Sequence, residues 1–250
     1  MDTKAFWDTR LSEHWGLEGV GYLSLGQPFN VWMYRVRKVV FGRITKSIPA
    51  KKVCEIGPGT GFYTELLLKQ GRDVTGIDLS PFAIEQLSIR FPNTRFKEGD
   101  VASGIEGVFD MVIAIDILFH ILDDESYEKA LRAIYEHLAP GGYFLFSENL
   151  PLHRVSVKHQ VSRSEQEILA LLERIGFTHV VRRPMFILMN APTKRGATWW
   201  WRACVRLLSR IPAAGGVFGM LLFPVECLLT RFSSQTSSTE FVLCRKPLSL

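Results

Sequence analysis

The stretch Val53-Cys54-Glu55-Ile56-Gly57-Pro58-Gly59-Thr60-Gly61 constrains this chain more than any other part of its 250 residues. An apolar run breaks into a turn with glycine at three alternate positions. Phe62-Tyr63-Thr64-Glu65-Leu66-Leu67-Leu68 follows with helical character, and Gly71 stops it. Strand, bare turn and helix in that order leave main chain with no side chains in the way, so a ligand can lie directly on Gly57, Gly59 and Gly61. Glu55, just before the turn, offers an acceptor to the polar groups of a nucleotide-like ligand.

What the turn lacks narrows the ligand. A dinucleotide fingerprint needs glycine at its first, third and sixth positions, and the sixth here is Phe62. A phosphate loop ends in Gly-Lys-Ser/Thr, which is missing. The next apolar run, Asp73-Val74-Thr75-Gly76-Ile77-Asp78, ends in a carboxylate roughly 20 residues beyond the turn, where a ribose diol is usually gripped. A third run, Thr94-Arg95-Phe96-Lys97-Glu98, ends in Gly99-Asp100, whose carboxylate can accept from an adenine amino group.

Taken together, these residues resemble the motifs of the class I S-adenosylmethionine-dependent methyltransferases. Glu55 to Gly61 matches the first motif, Ile77-Asp78-Leu79-Ser80 the second and Gly99-Asp100-Val101 the third. Phe109-Asp110-Met111-Val112-Ile113-Ala114 matches the fourth strand, and Leu138-Ala139-Pro140-Gly141-Gly142-Tyr143 the turn into the fifth. The resemblance covers residues 50–190, with 240–246 as a final strand. It implies an α/β, Rossmann-like, seven-stranded, mostly parallel sheet whose last strand runs antiparallel. It implies S-adenosyl-L-methionine as cofactor, held by Glu55, Gly57, Gly59, Gly61, Asp78, Leu79, Asp100, Val101 and Asp116. The implied activity is methyl transfer to a small molecule, as in bacterial enzymes that decorate natural products, lipids or sugars.

The rest of the sequence is consistent with that architecture. Charged residues make up 22% and hydrophobic ones 47%, a globular balance. Alternating helical and strand patterns predict a parallel sheet covered on both faces. Ser80-Pro81 opens a helix through Arg90, Asp123-Asp124-Glu125 one through Leu138 closed by Pro140-Gly141-Gly142, and Ser164 to Glu167 a capping box for a third through Ile175. The four cysteines show no metal or disulfide spacing. A net charge of +5 without a long basic run, and the absence of an Asn/Asp-Pro-Pro-Tyr/Phe motif, argue against nucleic acid. The opening Met-Asp-Thr-Lys-Ala carries no apolar signal region, so a cytoplasmic location, with membrane association as an alternative, is expected.

Two segments flank the core at 49–190 and its last strand at 239–250. Residues 1–48 are expected to form an N-terminal lid, loop-like through Tyr34 and then helical from Arg35, with packing on the sheet's outer face as the alternative. Residues 191–238 form an apolar, helical insertion carrying Trp199-Trp200-Trp201-Arg202, in which Ile211 to Thr230 holds a single charge, Glu226. That stretch is almost long enough to span a bilayer, yet its glycines and prolines argue against spanning. A substrate roof, a peripheral membrane or lipid contact through 199–230, and a homodimer interface stand as three readings.

For chemistry, His120 follows the fourth strand at the edge where a reacting methyl group would sit, and a neutral imidazole suits a general base for an acceptor hydroxyl. A histidine that only bonds the loop is the alternative. Asp116 is expected to orient the cofactor's methionine end or a substrate hydroxyl. Tyr22, Trp32, Glu148, His153, His159 and Arg163 are further candidates for the acceptor pocket. No metal is expected, because His153 and His159 are spaced unlike a compact metal site. The sequence therefore points to O-methylation of a bulky or apolar acceptor. Other chemistry on the same cofactor and a non-catalytic, membrane-associated partner subunit remain as rival readings.

Overall fold

A computed structural model of the chain describes residues 3–157, 159–192, 198–208 and 210–248. Parts of the insertion (193–197 and 209) and the first two residues lie outside them. The strands are β1 Lys52–Ile56, β2 Asp73–Asp78, β3 Arg95–Glu98, β4 Phe109–Ala114, β5 Leu138–Glu148, β6 Val155–Val157, β7 Gln160–Ser162, β8 Thr178–Pro184 and β9 Glu240–Arg245. The helices are α1 Thr3–Glu13, α2 Gly26–Thr45, α3 Phe62–Lys69, α4 Pro81–Arg90, α5 Asp124–Glu136, α6 Glu165–Ile175, α7 Thr198–Leu208 and α8 Pro212–Phe232.

Seven strands form one sheet in the order β3-β2-β1-β4-β5-β9-β8, and only β9 runs against its neighbours. A small β6–β7 hairpin stands apart. Strand residues alternate between the faces, so Val53 and Cys54 bury into different cores. On one face Cys54, Val112, Phe144 and Phe146 pack with Tyr127, Leu131 and Ile134 of α5 and with Leu172 of α6. On the other, Val53, Met111, Ile113 and Leu145 pack with α2 and α3 through Phe29, Met33, Val36 and Leu67. Chain order reverses between β1, which leads outward to β2, and β4, which leads to β5. Ligands of such sheets bind outside the carboxyl ends of the strands at that crevice.

The capping residues read from sequence act as caps. Ser80 accepts from Ala83 N, and Ser164 with Glu167 forms the reciprocal box at the start of α6. Three boundaries differ from expectation. The helix after Asp123 ends at Glu136, and Leu138 already pairs with Phe109 in β5. Pro140-Gly141-Gly142 lies within β5, where the β4–β5 register shifts. A Cβ at Gly142 would meet Ala139 O at 2.8 Å, so the irregularity needs glycine. Lys246 Nζ donates to the carbonyls of Tyr135 and Leu138 (2.8 Å each), holding the helix end there.

α2 starts at Gly26, nine residues before Arg35, because Phe29, Met33, Val36 and Val40 already recur at helical spacing on its buried face. The strand that precedes the insertion is β8, Thr178–Pro184. Beyond it, the amides of Ile187, Leu188 and Met189 donate to the Glu226 carboxylate and not to a strand. Within the described residues the insertion carries two helices, as expected, α7 and α8. α8 packs along α2, with Gly219 so close that a Cβ there would meet Trp32 at 2.8 Å.

Candidate active site

A cavity of about 770 Å³ opens at the carboxyl ends of β1, β2 and β4. Its floor is main chain. Gly57 (φ +67°) and Gly59 (φ +54°) take left-handed conformations that a side chain disfavours. A Cβ at Gly57 would also meet Ile117 Cδ1 at 2.1 Å. Asp78, at the end of β2, accepts from Gly59 N through Oδ2 and from Ser80 N through Oδ1, both at 3.0 Å. It thereby ties the glycine loop to the next strand while facing the cavity. Burial pushes its pKa up, against the backbone amides that favour the carboxylate. Leu79, Asp100 and Val101 line the same wall. Asp100 accepts from Ala102 N at 2.9 Å through Oδ1 and is otherwise exposed.

Two residues expected at the cavity stand behind it. Glu55 is absent from the lining and accepts from Thr64 Oγ1 at 2.6 Å, and burial raises its pKa to about 7. A residue at that point of β1 has its side chain turned under α3, so it braces the turn. Gly61 (φ +79°) caps α3 and faces Leu87 of α4 and Phe91 just after it.

After β4 the chain turns sharply. Asp116 adopts φ +60° and is held on both sides. Ser147 Oγ donates to its Oδ1 at 2.8 Å and accepts from its amide at 2.7 Å, while Arg37 of α2 forms an ion pair with Oδ2. Burial opposes charge on Arg37, but Asp116, Tyr63 and Tyr34 outweigh it and keep the guanidinium ionised. Asp116 lines the cavity with its charge already partnered.

His120 ends the short helical turn Leu118–His120 and also lines the cavity. Its Nδ1 lies 2.9 Å from His159 O, and Trp7 of α1 meets its ring edge-on at 4.9 Å. Burial lowers its pKa below 6.5. Arg163 fixes the loop that follows, donating to Asp124 Oδ1 (2.8 Å), Ile121 O and Asp123 O (3.1 Å each).

A polar chain also borders the cavity. The Tyr22 hydroxyl donates to Asn190 Oδ1, Asn190 Nδ2 donates to Thr239 Oγ1 (2.7 Å) and Thr239 Oγ1 donates to Asn149 Oδ1 (2.8 Å). All four residues line the cavity. α1 closes the remaining side with Phe6, Trp7 and Arg10, and Asp8 accepts from Ser80 Oγ at 2.6 Å. The N-terminal segment thus divides its work: α1 lies against the cavity, and α2 also packs on the sheet's outer face.

Of the acceptor-pocket candidates, Tyr22 and His159 line the cavity, and the other four do not. Trp32 packs against Phe223 of α8, 5.5 Å between ring centres. Glu148 is fully buried, with burial raising its pKa to about 8. His153 is exposed. Arg163 is 3% exposed and spends its charge on the 121–124 loop. No described residue of α7 or α8 lines the cavity, so the roof reading does not hold for these two helices, whereas Ala191 and Pro192 at the start of the insertion do line it. Among the described residues no cluster of His, Cys, Asp or Glu is placed to hold a metal ion. Arg37, Asn149, Asn190 and Thr239 were not foreseen. Only Arg37, a charge within an apolar helical stripe, carried a sequence signal.

Residues 53–142 match the family model described as a methyltransferase domain. Ubiquinone biosynthesis O-methyltransferases of Pseudomonas putida and Pseudomonas entomophila are each 32% identical over 108 residues, covering 40% of this chain and 45% of theirs. The match therefore spans less than half the length of those relatives. Among solved structures, the N-methyltransferase NodS from Bradyrhizobium japonicum, in complex with S-adenosyl-L-homocysteine, superposes with a TM-score of 0.61 at 15% identity, covering 99% of this chain and 100% of that one. The cyclase SpnF superposes with a TM-score of 0.56 at 15% identity, covering 86% and 81%. At those identities the likeness establishes the fold and leaves the reaction open. Residues 53–142 thus match a methyltransferase domain, and the seven-stranded sheet that carries them has the Rossmann-like methyltransferase fold.

Proposed function

We propose that the chain transfers a methyl group from S-adenosylmethionine to a hydroxyl of a bulky, largely apolar small molecule. The observation that carries the oxygen assignment is His120, a neutral imidazole on the cavity wall whose Nδ1 is tied to His159 O. The curated relatives named as O-methyltransferases support the same direction.

The cavity fits the cofactor on its own residues. A bare, left-handed glycine turn accepts a ligand against main chain, as Gly57 and Gly59 require. Asp78 keeps free lone pairs for ribose hydroxyls even while it accepts two amides. Asp100 and Val101 would hold the adenine, and Asp116 the amino-acid end. When bound, S-adenosylmethionine supplies an electrophilic methyl group on a sulfonium.

The chain's own residues perform the rest. His120 takes the acceptor's proton at Nε2. Trp7, Phe6 and the α1 backbone keep water from the reacting centre, where the cofactor's charge must disperse. The polar chain from Tyr22 to Asn149 orients the acceptor's other polar groups. Positioning of this kind supplies several kcal/mol of a barrier, roughly 7–11 where alignment is complete.

The test is S-adenosylhomocysteine release with a panel of aromatic and aliphatic hydroxyl acceptors, set beside their amine analogues and methyl ethers. Turnover on hydroxyls, with none on the ethers, is expected. Turnover on amines alone would overturn the oxygen assignment, and no heat of binding for S-adenosylhomocysteine in calorimetry would overturn the cofactor.

A further inference from the structure

The outer face of α8 is apolar along its length. Val217, Leu221, Val225, Leu228 and Phe232 follow one another at three- and four-residue steps, which places them in one stripe on the helix surface. Leu221 is 64% and Phe232 76% exposed. Ala214–Phe232 is long and apolar enough to cross a bilayer, yet only 22% of that stretch is buried against the rest of the protein. An isolated exposed leucine needs no explanation, but a continuous stripe of this length does.

Charge identifies what covers it. From 191 to 238 the sequence carries Lys194, Arg195, Arg202, Arg206, Arg210 and Arg231 against a single acid, Glu226. Glu226 is fully buried on the opposite side of α8, where it accepts the amides of Ile187, Leu188 and Met189. Its described part therefore exposes Arg202, Arg210 and Arg231 and no acid beside the apolar stripe, and Trp199, 72% exposed, stands on the adjoining helix. Apolar stripe, flanking arginines and an exposed tryptophan are the composition of a helix that lies in a lipid interface. A second copy of the chain would bring the same arginines face to face, so self-association through this stripe meets like-charge repulsion.

We propose that α8 and the start of α7 form a docking face for an anionic membrane surface, with the stripe at the acyl boundary and the arginines at lipid phosphates. The helix docks flat and does not span. Inserting it would strip three amides from Glu226 and pull Gly215 and Gly219 from their packing against Phe29 and Trp32.

Flotation of the full chain with vesicles tests this without any need for turnover. Phosphatidylcholine vesicles containing about three-tenths phosphatidylglycerol should carry at least ten times more protein than phosphatidylcholine alone, and 0.5 M salt should reduce the carried fraction several-fold. Leu221→Gln with Leu228→Gln should lower anionic-vesicle binding at least tenfold, with an unchanged melting temperature and unchanged S-adenosylhomocysteine binding. Arg202→Gln with Arg210→Gln, at exposed positions, should remove the preference for anionic vesicles. Failure of the wild type to float, or double variants that float as it does, would overturn the proposal. So would light scattering showing a wild-type dimer that the leucine variants turn into a monomer.

Discussion

Nδ1 of His120 lies 2.9 Å from the main-chain oxygen of His159, and that contact settles which ring nitrogen carries the proton. A carbonyl oxygen only accepts, so Nδ1 must be the donor. In the neutral ring Nε2 is then left with a lone pair and, among the described residues, no protein partner. Replacing His120 with alanine is expected to lower kcat roughly 10²–10⁴-fold. Cofactor affinity should hold, because the glycine turn, Asp78 and Asp100 belong to other elements and His120 bonds none of them. The wild-type pH profile adds a second readout. A base works when unprotonated, and burial lowers the His120 pKa, so activity should climb with pH and reach half its plateau below 6.5. An acid limb centred above 6.5, or full turnover in the alanine variant, rules out His120 as the base.

The glycine turn makes a prediction that separates strain from occupancy. Gly57 and Gly71 both sit at positive φ, +67° and +75°. A Cβ at Gly57 meets Ile117 Cδ1 at 2.1 Å, whereas one at Gly71 meets nothing within 4 Å. Gly71→Ala should cost only the left-handed penalty, about 1–2 kcal/mol of stability, and leave S-adenosylhomocysteine binding intact. Gly57→Ala pays that penalty and also drives Ile117 into the cavity, so calorimetric affinity should fall at least tenfold. Equal affinities in the two variants would mean that the bare main chain at Gly57 is not where the cofactor lies.

Glu226 is the one acid in α8, and its carboxylate is the only partner found among the described residues for the amides of Leu188 and Met189. Removing it takes the acceptor from three amides at once, one buried (Met189) and two partly buried (Ile187 and Leu188). Glu226→Ala should therefore cost about 3–5 kcal/mol in urea unfolding, in the range of a broken buried charge network. Glu226→Gln, which keeps a carbonyl acceptor, should cost distinctly less. The loop it holds leads directly to Asn190, so Glu226→Ala should also weaken acceptor binding more than cofactor binding. A loss below about 1 kcal/mol in the alanine variant would show that the loop holds itself.

Glu226 also marks where sequence reasoning stopped. A lone charge inside an apolar run is visible in the sequence, but its partners lie some 37–39 positions away in a loop whose backbone has no periodic signature. The glycine turn, Asp78, Asp100 and the caps at Ser80 and Ser164 were legible because each acts on neighbours in the chain, within a turn or a strand end. Glu55 misled for the opposite reason. Its place before the turn was right, but a strand side chain points to one face or the other, and only packing under α3 assigns it to Thr64. The Tyr22–Asn190–Thr239–Asn149 chain gathers residues from four distant segments, and no spacing rule connects them. Boundaries failed where tertiary bonds overrode local pattern, as when Phe109 captured Leu138 from the end of α5.

Glu148 gives the chain a pH-dependent stability that can be measured apart from any activity. It is fully buried at the end of β5, its Oε1 has no partner among the described residues, and burial raises its pKa to about 8 from the ordinary 4.5. Below 4.5 the carboxyl is protonated in both folded and unfolded chains, and its contribution is fully present. As pH rises toward 8 the unfolded chain ionises while the folded one holds its proton, so stability falls, and above 8 the loss levels off. Carboxylates with lowered pKa, such as Asp124 and Glu167, change only below the ordinary range. His120, lowered from 6.5, acts mainly below that pH, while Glu55 is still half protonated at its pKa of about 7, and burial also raises Glu226 and Asp78. Comparison with Glu148→Gln therefore assigns the share of Glu148 between pH 7 and 8, a slope of up to roughly 1.4 kcal/mol per pH unit. Glu148→Gln is neutral in both states and should flatten that slope in urea unfolding at pH 7.0 and 8.0. Parallel losses in wild type and variant would mean that Glu148 is already ionised in the folded chain, with water or Arg163 meeting its charge.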